Sequence, residues 1–192
     1  MTKMAENVFE RAKNAVVGVV RGTGDIVESV RSTATDIVTG ALRGAGEVAT
    51  TAVGVVTDTV RGAVRGTKDA GVELAQGAKG VVSGAVQAVA EVGGDVIGAT
   101  RNAVRAAIQG AAEVGGDVAG TAVGAVEGAV EAATRVGQDV AGVARSAVEQ
   151  AVETAGEVGQ DTAEAVKKGL TSAAQIPRDV VESVLKGSQR QE

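Results

Sequence analysis

The side chains able to do chemistry in this chain are carboxylates and amines, and both follow a fixed spacing. Acids recur in one column, Asp25, Asp36, Glu47, Asp58, Asp69, Glu91, Glu113, Glu157 and Asp179, and bases in another, Lys13, Lys68, Lys79, Arg101, Arg145, Lys167 and Arg178. Converging carboxylates would serve general acid–base catalysis, and glycine-rich loops would cradle phosphate. Here the acids mark out a repeat instead of a pair. The glycine-rich matches, Gly18-Val19-Val20-Arg21-Gly22 and Gly93-Gly94, lack the strand–loop–helix context and the Gly-Lys-Ser/Thr ending of a phosphate loop. The absence of His and Cys removes imidazole chemistry, thiol nucleophiles, disulfides and zinc sites. The expectation is a protein that is not an enzyme, with no catalytic residue, no cofactor, no metal site and no small-molecule substrate.

What positions these charges is an apolar pattern of period eleven. From Val8 the steps reach Val19, Val30, Ala41, Ala52, Ala63, Leu74, Ala85, Val96, Ala107, Val118, Ala129, Val140 and Ala151. One residue later a second column holds Leu42, Val53, Val64, Val86, Ile97, Ile108, Val130 and Val152, and a third holds Ile26 and Ile37. Eleven residues in three turns is about 3.67 per turn, so these columns share one side of a nearly straight helix. They form a wide, shallow face of roughly 160° at ~98° per residue. From residue 91 a 22-residue period overlies the shorter one: Glu91-Val92-Gly93-Gly94-Asp95-Val96 returns as Glu113 to Val118, Arg135 to Val140 and Glu157 to Thr162.

The expected fold is therefore all-α: one or two very long amphipathic helices of tandem 11-residue repeats. A straight helix, a hairpin folded near Gly77 to Gly80 or Gly115-Gly116, and a right-handed coiled coil, bundle or filament all fit the period. Residues 1–7 read as a lead-in, 8–175 as one continuous repeat helix, and 176–192 as a segment opened by Pro177, the single proline. Glycine numbers 28, and each in a helix interior costs ~1 kcal/mol relative to Ala. Their placement at Gly93, Gly115, Gly137 and Gly159 suggests close-packing positions where another backbone approaches.

With one Phe and no Trp or Tyr, burial must come from length rather than from large side chains. The net charge of −5, from 19 basic and 24 acidic residues spread along the chain, offers no basic stripe for nucleic acid. A mean hydropathy of +0.14 argues against a purely disordered chain. The amino terminus lacks a secretory signal, and charges interrupt every stretch long enough to span a bilayer. The reading is an intracellular, cytoplasmic protein, peripheral to a lipid or granule surface. Its binding element is the apolar face: Val8, Val19, Val30, Ile26, Ile37, Leu42, Val53, Val64, Leu74, Val86, Ile97, Ile108, Val118, Val130, Val140 and Val152. One flank of that face is basic and the other acidic, which favours a weakly charged surface or contact between like-oriented helices over an anionic bilayer.

Units such as Arg65-Gly66-Thr67-Lys68-Asp69-Ala70-Gly71-Val72 and Gly77-Ala78-Lys79-Gly80-Val81-Val82 resemble the 11-residue repeats of perilipins, and Val92-Gly93-Gly94-Asp95-Val96 is similar to the synuclein repeat. The resemblance spans nearly the whole chain and is one of period and composition. It implies reversible coating of lipid droplets, storage granules or membranes, although Lys is scarcer here. Group 3 late-embryogenesis-abundant proteins are similar in period, more hydrophilic, and imply protection on drying. The expected partners are a lipid surface, other copies of the chain in a homo-oligomer, or both. A self-assembling bundle or filament is the alternative to a coat.

Overall fold

The computed structural model describes the backbone of residues 2–20, 25–44 and 48–188, and side chains within 7–19, 25–44 and 52–187. Arg21, Gly22 and Glu47, cited above, lie outside the described residues, as does the end of the 176–192 segment beyond residue 188. The described residues form nine helices: α1 (Thr2–Val20), α2 (Ile26–Gly44), α3 (Val48–Asp69), α4 (Leu74–Glu91), α5 (Val96–Glu113), α6 (Val118–Val136), α7 (Val140–Val158), α8 (Gln160–Ser172) and α9 (Arg178–Ser188). This overturns the expectation of one or two very long helices. The chain is a stack of short helices, and the continuous helix read over residues 8–175 is interrupted repeatedly.

The interruptions have a local cause in the 22-residue motif. At the end of α4, Gly93 takes a left-handed φ of 72°, its N–H donates to the Ala90 carbonyl at 3.0 Å, and the Gly94 N–H donates to that of Val89 at 2.9 Å. Those two bonds are a Schellman termination, which satisfies orphan carbonyls and turns the chain out of the helix. The next residue then restarts it, because the Asp95 carboxylate accepts from the Gly98 N–H at 3.0 Å as an N-cap. Gly115 (φ 62°) and Asp117, then Gly137 (φ 67°) and Asp139, repeat the stop and start, with caps at 2.9 and 3.0 Å. The fourth copy departs from this: α8 begins directly after Gly159, and Asp161 lies in its first turn. Pro177 precedes α9 and its carbonyl accepts from Val180 and Val181. Pro suits a helix start, where its missing N–H costs nothing.

One 22-residue unit is thus a helix of about five turns plus a short link, and each helix doubles back on the one before, as short helix–helix links require. Helices two apart in sequence then lie side by side. Gly62 and Gly66 of α3 meet the carbonyls of Phe9 and Lys13 of α1, Gly80 and Gly84 of α4 meet those of Val27 and Arg31 of α2, and Gly124 and Gly128 of α6 meet those of Ala75 and Lys79 of α4. Each contact advances four residues in the same direction on both helices, so these pairs run parallel. The result is two layers, odd-numbered helices against even-numbered ones. A core of Ala and Val fills the space between, with Ile108 and Leu170 its largest fully buried side chains.

Candidate functional site

The apolar face read from the sequence is divided by this folding. Val30, Val64, Val86 and Ile108 are fully buried, Leu42, Val8, Ile37 and Leu74 are buried, and Val19, Ile26, Val118, Val130, Val140 and Val152 are partly covered. Val53 and Ile97 instead stand 47% and 39% exposed. The second column shows why: Val64, Val86 and Ile108 lie in the second halves of α3, α4 and α5 and Leu42 near the end of α2, between the layers, whereas Val53 and Ile97, eleven residues from their neighbours in the column, fall near the starts of α3 and α5. An 11-residue step alternates between two structural positions, because the structural unit is 22 residues long. The face is closed against the chain's own helices and forms no single continuous surface.

The close-packing glycines are also elsewhere. A Cβ built on Gly93, Gly115 or Gly137 would meet nothing within 4 Å, and one on Gly159 only the Thr162 hydroxyl at 4.0 Å. The first three serve as helix stops. The true close approaches are the paired glycines four residues apart in α3, α4 and α6, where a Cβ on Gly66 or Gly80 would lie 2.6 Å from a carbonyl oxygen of the facing helix. Spacing alone could have signalled them, since Gly-xxx-Gly is a close-packing pattern. A left-handed stop and a close approach, however, both select glycine.

Charged residues tie the same parallel pairs together. In the odd layer Lys13 pairs with Asp69 at 3.5 Å, Arg61 with Glu113 at 3.5 Å, and Arg105 with Glu153 at 3.5 Å and Glu157 at 3.3 Å. In the even layer Lys79 pairs with Glu127 at 3.4 Å and Glu131 at 3.9 Å and donates to Gln175 at 2.6 Å. Arg31 pairs with Glu28 and donates to Gln87 at 2.8 Å, and Arg135 pairs with Glu131 at 2.8 Å and reaches Glu28 at 4.0 Å. The hydrogen bond from Arg31 holds the Glu28 carboxyl below the usual glutamate range, with the charges of Arg31 and Arg135 adding to it. Burial pushes the Asp58 carboxyl up, against the nearby Arg61 charge.

Beside this network the N-terminal parts of α2, α4 and α6 and the end of α8 border a groove of about 770 Å³, lined among others by Ile26, Val27, Val123, Lys79 and Glu127. Among the described residues no cluster of acidic side chains is arranged to hold a metal ion. None of their helices is long and apolar enough to cross a membrane.

No protein-family description matches the chain, and no curated protein is similar to it. Among solved structures, the crystal structure of the de novo designed helical repeat protein DHR7 is similar, with a TM-score of 0.52 and 21% sequence identity over 100% of this chain and 98% of that one. At that identity the likeness concerns architecture alone: the chain has the fold of a helical repeat protein.

Proposed function

We propose that this chain is a non-enzymatic structural or scaffold protein that works by helix-against-helix packing, within the chain and with further helices or copies of itself. The observation that carries this reading is the set of paired glycines at 62 and 66, 80 and 84, and 124 and 128, each pair seated on the carbonyls of one particular helix. Fluid acyl chains have no fixed relief, so a face made only to coat lipid gains nothing from such notches and loses ~1 kcal/mol of helix propensity at each glycine. A partner helix gains close backbone contact from the same notches. The missing His and Cys favour a role without catalysis.

Coating of a lipid droplet, storage granule or membrane is the competing reading, and it requires the two layers to part. Circular dichroism and sedimentation in dilute buffer, with phospholipid-coated oil droplets, with anionic vesicles, and after drying separate the two. The scaffold reading expects full helicity in buffer, unchanged by droplets, and a cooperative melt. Helix gained only on droplets would overturn it in favour of a coat, and helix gained only on drying in favour of a protectant.

A further inference from the structure

The even layer is bridged across its middle helix. α2 and α6 each stack on α4 and share no backbone contact with one another. With neighbouring axes 8–10 Å apart, they would stand about 16–20 Å apart in a flat layer. Glu28 on α2 and Arg135 on α6 nevertheless come within 4.0 Å. Extended Arg and Glu side chains cover that distance across α4, so this one pair ties together two helices that do not otherwise touch. The close stacking of this layer shortens the span, since glycine pairs draw α4 onto α2 and α6 onto α4, whereas in the odd layer α3 carries such a pair but α5 has Ala106 and Gly110 and α7 has Gln150 and Thr154 at the matching positions.

The charged and polar groups on this face come from every element around it: Glu28 and Arg31 from α2, Lys79, Gln87 and Glu91 from α4, Glu127, Glu131 and Arg135 from α6, and Gln175 from the α8–α9 link. They form one connected network. Arg31, Lys79 and Glu127 are each less than a fifth exposed, which shields them from solvent better than isolated surface pairs.

We propose that this network is a charge clasp that holds α2 and α6 together over α4 and fixes the distance across the even layer. Opening the clasp lengthens the distance between α2 and α6 and widens the adjoining groove, which Lys79 and Glu127 line. The chain has no cysteine of its own, so cysteines placed at the exposed Ser32 of α2 and Thr134 of α6 accept spin labels at unique sites. Pulsed electron paramagnetic resonance then reads the distance across the layer. Arg135→Gln and Glu28→Gln are each expected to lengthen and broaden it, with the double variant no longer than the longer single, because both remove the same bond. Raising salt on the doubly labelled but otherwise unsubstituted chain to on the order of 1 M, where the screening length is ~3 Å, shifts it the same way. The salt arm stands even if a substitution impairs folding. Additive changes, or a distance indifferent to both substitutions and salt, overturn the clasp.

Discussion

Replacing Gly84 by Ala tests the glycine notches directly, because propensity and packing pull its effect in opposite directions. In an exposed helix interior, Gly→Ala gains ~1 kcal/mol. Gly54 of α3 offers that background: it is exposed, inside the helix, and a Cβ there meets nothing within 4 Å. At Gly84 the new Cβ would collide with the Arg31 carbonyl oxygen and lie 2.9 Å from the Ala34 Cβ. The obstacle is backbone of α2, which cannot rotate away as a side chain can. Overfilling a packed interface typically costs about 1–3 kcal/mol. A close approach to backbone belongs at the upper end, so the net loss after the propensity gain is about 2 kcal/mol. A chain of this length shifts by roughly 2–4 °C per kcal/mol. Thermal unfolding followed by circular dichroism is thus expected to show Gly54→Ala melting about 2–4 °C higher and Gly84→Ala about 4–8 °C lower than the unsubstituted chain. Gly128→Ala, facing Lys79, should follow Gly84→Ala. If all three substitutions stabilised alike, the glycines would be ordinary helix positions and the parallel stacking would be refuted.

Two isoleucines eleven residues apart provide a second contrast: Ile108→Ala removes a fully buried side chain and is expected to cost about 2–5 kcal/mol. Ile97→Ala, 39% exposed, should cost well under half as much in the same denaturant titration. At the α5–α6 link, Gly115→Ala must adopt a left-handed φ of 62° for ~1–2 kcal/mol, and Asp117→Ala loses a cap worth about 0.5–2 kcal/mol; unchanged melting in both would contradict the link as described. For Glu28 the folded carboxyl is held below its ordinary value by Arg31, so its stabilisation is fully present above the unfolded value near 4.3 and fades as pH falls through the lower folded value. Melting temperature followed from about pH 6 to 3 should therefore fall less steeply for Glu28→Gln than for the unsubstituted chain; identical profiles would exclude the contribution.

Much of the local structure was legible in the residues. The helical period follows from the spacing of Val and Ala, and the helix ends were written in Glu-Val-Gly-Gly-Asp-Val, a glycine stop beside an aspartate cap. The links leave no mark in the hydrophobic pattern, because the apolar columns run through them without a break: Leu74, Val96, Val118 and Val140 open their helices, yet stand in register with Ala85, Ala107 and Ala129 in mid-helix. A link of four residues after a helix of 18 makes the 22-residue unit twice the apolar period. Folding back therefore leaves no gap in the columns.

The sequence alone determines that these segments are helices, where they stop, and which side of each is apolar, since those depend on backbone and side-chain preferences within a few residues. Tertiary structure alone decides what covers that side. Gly93 is a left-handed stop through the Gly-Gly-Asp in which it stands, whereas only the position of α2 makes Gly84 a seat for the Arg31 carbonyl. The bond between Glu28 and Arg135 likewise depends on how α2, α4 and α6 stack, a sum of packing distances that no local pattern encodes.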